Sequence, residues 1–551
     1  MRQLGARPLP DGGTEFRVWA PRARRVTVET TTGSFPLHPE AGGLFAGLAP
    51  LRHGDDYRLR PDDGAPLPDP CSRHQPEGVL GPSRVVDPAT FAWTDGGWTG
   101  LRRTDLVIME IHVGTFTPAG SFAAAAARLP ELRALGITAV QLMPVATFPG
   151  ARGWGYDGLY TWAPHPAYGG PAGLAAFVDA AHAADVGVIL DVVHNHLGPG
   201  ERALLAFGPY LAGGPATPWG RRLDFAAGRR DGVREWAAQG VEMWMRDFHI
   251  DGLRADAVDA IVDTSPRHIL AELTDRARAA ARNPPVLIAE ATRNGATAVA
   301  GTESGGWGFD AHWGDGFHHD LHAALTGERD GHYAGRGTMG ELARSMAVDP
   351  GGTGVPPDSV VVYAHNHDQV GNRAVGDRLP RRLRSLAVLW TLLSPGIPML
   401  FMGDDDDEDT PFQFFTDHHD PHIADATRRG RRREFARFHG FRGTLPDPQD
   451  PATFRRSRVG ASGPDPVRRA LVRRLVDVRR RLPPGAATAR CDEPARWACV
   501  RRGVADIIGN FSERPVAVPV SGRTVLVASG PEARISDGHL MLGPHTGAAV
   551  R

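Results

Sequence analysis

F-H-I-D-G-L-R-A-D-A-V, from Phe248 to Val258, is the stretch on which the fold of this chain is read. An apolar lead-in meets Asp251-Gly252, and Arg254 and Asp256 follow at i and i+2. In an extended segment their side chains leave on the same side. Alone, an R-x-D pair is an ordinary ion pair at a strand end. Three other stretches change its meaning: G-V-I-L-D-V-V-H-N-H (Gly187 to His196), P-V-L-I-A-E (Pro285 to Glu290) and S-V-V-V-Y-A-H-N-H-D-Q (Ser359 to Gln369). Each is a short apolar run of β type that stops on acids or histidines. An α/β fold of the (β/α)8 type requires this, because its active site gathers side chains from the C-terminal ends of several parallel strands.

The flanking pattern agrees. Asp105 to Thr115 reads as the first strand, Phe122 to Leu135 as an alanine-rich helix and Gly136 to Pro144 as the second strand, a βαβ order that builds a parallel sheet. Val233 to Asp247 is a helix with Trp236, Met243 and Trp244 on its core side, and Gly396 to Phe415 supplies the eighth strand and an acidic loop. A basic amphipathic helix is expected from Pro466 to Leu482. Thr14 to Val28 alternates apolar and polar residues, and turn residues punctuate the chain up to about Trp98, so a small β-sandwich precedes the barrel, with Trp19 in its core. A second β-sandwich follows it. The domains expected are therefore 1–98, 99–482 and 483–551.

Composition narrows the function classes. The 551 residues carry 62 basic and 63 acidic side chains, a formal net charge of -1, so no global field favours nucleic acid or an anionic membrane. A neutral substrate fits. All the basic side chains are arginine, which excludes Schiff-base lysine chemistry and a Walker-type phosphate loop on this chain. Cys71, Cys491 and Cys499 are too few and too scattered for a disulfide framework or a zinc site; buried free thiols are expected. No run approaches a membrane span, and a cytoplasmic enzyme is expected, monomeric or homodimeric. The histidines of Gly308 to Glu328 (His312, His318, His319, His322) lack the glutamate of a zinc-peptidase helix, and the six acids Asp404 to Asp409 lack EF-hand spacing. No metal and no cofactor are expected, and the acidic run is read as a solvated loop.

The four strand-end stretches resemble, in order, the four signatures of the α-amylase superfamily of glycoside hydrolases. Carried over residue by residue, the resemblance implies Asp256 as nucleophile, Glu290 as general acid/base and Asp368 as the carboxylate that stabilises the transition state. It implies that Arg254 holds Asp256 ionised, that Asn195, His196 and His367 line the sugar subsite with Asp191 behind them, and that Tyr156, in the G-W-G-Y-D-G loop, stacks on a sugar ring. Glu110 and His112 resemble a strand-one signature. Retaining glycoside hydrolysis needs two carboxyl groups about 5–5.5 Å apart, one attacking and one protonating. An adjacent arginine lowers the pKa of one of them, while the other keeps its proton longer.

Within the superfamily, G-P-Y-x6-T-P-W-G, D-A-H-W-G-D-G-F-H-H-D-L-H-x3-T-G-E, N-H-D-Q-V-G-N-R and P-F-Q-F-F-T-D-H resemble the branch that releases trehalose from malto-oligosyltrehalose. That likeness implies a malto-oligosyltrehalose or α-glucan substrate, with Tyr210, Trp219 and Phe412 to Phe415 closing one end of the cleft; Trp219, Phe414 and Phe415 are substrate-binding candidates. The chain departs from the branch at Gly316, at His365 where glutamine is usual, at Asp404 to Asp409, and at Asp224-Phe225-Ala226, which bears on how the trehalose end is gripped. A 1,4-α-glucan branching enzyme shares the N-terminal module and all four signatures, and a non-catalytic glucan-binding scaffold would also keep the barrel. The intact Asp256, Glu290 and Asp368 argue against the scaffold, and N-H-D-Q against branching.

Overall fold

Runs of valine, isoleucine and leucine form the staves of the barrel. In the computed structural model, which describes residues 2–200, 202–213, 219–226, 231–347, 354–435, 443–460, 463–484 and 487–551, eight parallel strands close on themselves. They are Ile108–Ile111, Ala139–Leu142, Gly187–Val192, Gly252–Ala255, Val286–Ala289, Ala311–Trp313, Val360–Val362 and Ile397–Phe401. Met399 pairs with Ile108 to seal the ring. Every residue in these strands is buried, as parallel strands covered on both faces must be.

The period of two along each strand sorts the interior into layers. Ile108, Ala139, Ile189 and Ile288 belong to one apolar cluster. Two residues further along the same strands stand Glu110, Gln141, Asp191 and Glu290, with Arg254 on the strand between the last two. The floor of the barrel is hydrocarbon and its mouth is charged.

Phe122 to Leu135 is not one helix. It breaks into Phe122–Ala126 and Leu129–Leu135, because Pro130 has no N–H to continue the first helix and fits the first turn of the second. The N-terminal strands run in one hydrogen-bonded order, in which Ser34–Glu40 pairs with Val26–Glu29 and then with Leu44–Ala49. Phe16 and Tyr57 stand on strands well separated in that order, yet their rings meet edge-on at 4.8 Å, so the sheet folds over into a sandwich. Its Trp19, 2% exposed, lies on Gly232 in the helix Asp231–Asp247. A β-carbon at Gly232 would fall 2.0 Å from the indole. The C-terminal strands form a five-stranded and a three-stranded sheet, anchored to the barrel helix Arg381–Leu393 by Trp390 against Phe511 at 5.2 Å.

Three expectations are corrected. The acidic run is not solvated: Asp404, Asp405 and Glu408 are buried. Asp406 and Asp407 accept from Arg469 (2.7 Å) and Arg468 (2.9 Å) of the basic helix Pro466–Arg479, so two charge runs that look anomalous separately neutralise each other. Cys491 is an exposed thiol rather than a buried one. It stands opposite Ala498 while Cys499 stands opposite Arg490, so the two thiols point to opposite faces. Tyr210 closes no cleft: it is fully buried between Trp19 (5.1 Å) and Trp236 (5.6 Å). Part of the surrounding Gly208 to Gly220 excursion, residues 214–218, lies outside the described residues. Among the described residues no helix is long and apolar enough to cross a membrane.

Candidate active site

Asp256 and Glu290 each follow directly on a barrel strand, and the strands are neighbours. Asp256 N–H donates to Val192 O (3.0 Å) and Glu290 N–H to Ala255 O (2.9 Å), so the ladder carries on to the two acids and sets both side chains at the mouth. Between them Ala257 adopts a left-handed conformation, φ 40° and ψ 53°, unusual for a residue with a β-carbon. The turn has a chemical use: Ala257 N–H donates to Glu290 Oε2 at 2.7 Å.

Arg254, fully buried, is shared more widely than its position beside Asp256 suggests. Its Nη1 donates to Asp191 Oδ2 (2.6 Å) and Asp256 Oδ1 (2.9 Å). Its Nη2 lies 2.8 Å from Glu290 Oε2 without hydrogen-bond alignment. The guanidinium also sits 4.0 Å over the Trp313 ring, which fixes its plane. Asn195 Nδ2 donates to Asp256 Oδ2 (2.6 Å) and to Asp256 O (3.0 Å). His196 contacts Asn195 Oδ1 through Nδ1, and its Nε2 is 3.0 Å from Tyr156 O.

Opposite them, His367 and Asp368 open the short helix His367–Gly371, capped by Asn366 accepting from Gln369 N–H at 2.7 Å. Tyr156 joins the two sides. Its hydroxyl donates to Asp191 Oδ2 (2.8 Å) and lies 2.8 Å from His367 Nε2, with the two rings stacked at 5.2 Å. The structure thus brings together Asp256, Glu290, Asp368, Arg254, Asp191, Asn195, His196, His367 and Tyr156. The side chains of Asp256, Glu290 and Asp368 are 13%, 21% and 31% exposed, accessible at the mouth of the barrel.

The electrostatics differ from expectation at Asp256. Burial, the largest influence, together with Asp191 and Asp368, leaves its pKa above the ordinary value despite Arg254 and the Asn195 amide. Burial and then Asp256 push Glu290 up to about 7, against Arg254 and the Ala257 N–H. A value near 7 places Glu290 to hold a proton near neutrality. Burial raises Asp368 as well, opposed by His367.

The aromatic candidates divide. Trp219 is 58% exposed, its ring 6.4 Å from that of His196. Phe414 is half-buried, edge-on to Trp154 at 5.2 Å with Arg431 over its face at 5.4 Å. Phe415 is excluded as a substrate contact: it is 1% exposed and packs on His112 (5.3 Å) and Phe454 (5.0 Å). Phe412 is equally buried, stacked on Trp154 at 5.1 Å. His112 is likewise buried, its ring nitrogens 2.9 Å from Thr115 Oγ1 and Gly153 O.

Two of the departures, His365 and the acidic run, meet each other. His365 Nδ1 is 2.8 Å from Asp404 Oδ1, and Arg378 is 3.5 Å away. Burial alone would raise Asp404, but these partners hold it below its ordinary pKa. Gly316 is buried in the helix Asp315–Thr326. Just before it, Asp315 Oδ1 accepts from Tyr363 (2.6 Å) and Gln369 (3.0 Å), beside Asp368. Sequence reasoning missed Asp315, Trp313 and the Ala257 turn; the G-D-G and A-D-A contexts carry no local signal of a shared site. Among the described residues no group of three His, Cys, Asp or Glu side chains is set to hold a metal ion.

A closed eight-stranded barrel with an Arg-linked Asp and Glu at neighbouring strand ends defines a glycoside hydrolase of the alpha-amylase class, and the alpha amylase catalytic-domain family matches residues 86–203. Residues 484–548 match a domain of unknown function, DUF3459. The chain is 39% identical to the malto-oligosyltrehalose trehalohydrolase of Rhizobium sp. (strain M-11), covering 99% of each chain. It is 40% identical to that of Arthrobacter ramosus, covering 97% of this chain and 99% of the other. It also superposes on the crystal structure of a protein described as an alpha amylase from Salmonella typhimurium, with a TM-score of 0.89, 35% identity and coverage of 100% and 99%. The chain belongs to the malto-oligosyltrehalose trehalohydrolase family.

Proposed function

We propose that this chain hydrolyses the α-1,4-glucosidic bond next to the terminal trehalose of malto-oligosyltrehalose, with retention of configuration, releasing trehalose and a shortened maltodextrin. The observation that carries the chemistry is the pair Asp256 and Glu290, bridged by Arg254, with Glu290 raised to about 7. The substrate is taken from the named relatives that match nearly the whole chain.

In the first step the Glu290 carboxyl gives its proton to the glycosidic oxygen, and the Asp256 carboxylate forms a bond to the anomeric carbon as the C–O bond to trehalose breaks. Arg254, donating to Oδ1, and Asn195, donating to Oδ2, orient the attacking carboxylate. Glu290 then takes a proton from water, whose oxygen displaces Asp256 and frees the glucan as its α-anomer. Asp368 stabilises the positive charge that develops at the sugar in both steps, and Tyr156 offers a ring face to the sugar. Trp219, exposed, and Phe414, half-buried, are the aromatic surfaces assigned to the trehalose end.

Incubation with malto-oligosyltrehalose and with a maltodextrin of equal length tests this. Free trehalose and far faster cleavage of the former are expected. Equal rates, or new α-1,6 branches in amylose, overturn the substrate assignment.

A further inference from the structure

Glu110 lies in the first barrel strand and is fully buried. Its carboxylate nevertheless has a specific task. Oε2 accepts the backbone N–H of His367 at 2.8 Å, and Oε1 lies 2.8 Å from His367 Nδ1. Gln141 Nε2 steadies Oε1 at 3.3 Å. The far ring nitrogen, Nε2, is 2.8 Å from the Tyr156 hydroxyl and 3.4 Å from Asp368 Oδ2. Tyr156 has one hydroxyl hydrogen and gives it to Asp191 Oδ2 at 2.8 Å, so towards His367 it accepts. A carboxylate also accepts. In that arrangement both ring nitrogens of His367 carry hydrogen, and the ring is an imidazolium.

We infer that Glu110 is a positioning residue that holds His367 doubly protonated, with Nε2–H directed at Tyr156 and Asp368. Without that charge the Nε2 lone pair would take the Tyr156 hydrogen, turn the hydroxyl away from Asp191, and leave Asp368 without its cation. The groups facing the ring are Glu110 from the first strand and His112 just after it, Tyr156 from the loop after the second, Asp191 from the third, Arg254 from the fourth, and Asp368 beside it. Burial and Arg254 oppose the charge, Asp368 and Glu110 favour it, and the balance pushes His367 up to about 9. The role of Glu110 reaches activity only through the proposed hydrolysis, so one arm of the test is independent of substrate.

That arm is nitrogen-15 NMR of the histidine rings in the full chain, with the His367 signal assigned by its loss in His367→Asn. At pH 7 both ring nitrogens should be protonated, and Glu110→Gln should lower the titration of His367 by about two pH units, the size of effect an adjacent carboxylate exerts. In the second arm, the ratio of kcat/KM for Glu110→Gln to that of the unchanged protein should fall about tenfold between pH 6 and pH 8; any titration of Glu290 common to both cancels in the ratio. A singly protonated ring at pH 7, a titration that Glu110→Gln does not move, or a ratio independent of pH overturns the inference. If no trehalose is released at all, the hydrolysis reading fails while the NMR arm still decides on Glu110.

Discussion

At Glu290 burial and the Asp256 carboxylate raise the pKa to about 7, so the protonated form that can protonate a leaving oxygen declines as pH rises through that value. The rate of bond cleavage should therefore fall about tenfold per unit above pH 7, measured as kcat/KM against pH. An unbroken rise to pH 9 would remove Glu290 from the acid role. Asp256→Asn and Glu290→Gln remove the proposed attacking and protonating groups with little change in side-chain volume, and each should lower turnover by a factor on the order of 10³ or more with circular dichroism unchanged. Near-normal rates in either purified variant would reassign that residue. Both acids are legible in the sequence because each ends a short apolar run. The third contact of Arg254 and the Ala257 N–H to Glu290 are not legible, because both depend on the separation of two strands 34 positions apart in their acids, Asp256 and Glu290.

Among the elements, the segment entering the barrel is tied to its N-terminal end by His182, 1% exposed at the side chain, which lies 3.0 Å from Asp95 and 2.8 Å from Asp251. Trp98 stacks on its ring at 4.8 Å. Burial would lower its pKa, but the two carboxylates win and raise it above 6.5. A raised folded-state value means stability that is complete below pH 6.5 and lost as pH rises through the higher folded value. Unfolding free energy from urea titrations should fall over that window, and His182→Asn should flatten the decline. A variant with an unchanged slope would show that the ion pairs do not titrate with folding. The acidic loop and the basic helix illustrate what element-level reading lacks. Asp406 and Arg469 are 63 positions apart, and no periodicity within either element announces the other.

For the whole molecule, the seam between the N-terminal sandwich and the barrel rests on the contact of Trp19 with Gly232. Gly232→Ala would force a methyl to 2.0 Å from the indole, an overpacking expected to cost about 1–3 kcal/mol. Differential scanning calorimetry should show a lowered Tm with the proposed active site intact in enzyme assays. An unaltered Tm would mean that the seam yields without cost.

By itself, the sequence determines the barrel, the order of its strands and the acids at their C-terminal ends, because burial on both faces and polar strand ends leave local, repeating marks. The family is legible for the same reason: its signatures are contiguous. Only the tertiary structure decides which aromatic rings are available to a ligand. Tyr210, Phe412 and Phe415 are buried while Trp219 is open, and an aromatic side chain gains as much by packing in a core as by meeting a sugar. It also decides the charges, since a carboxyl such as Glu290 or an imidazole such as His367 takes its proton affinity from burial and from neighbours that distant strands supply.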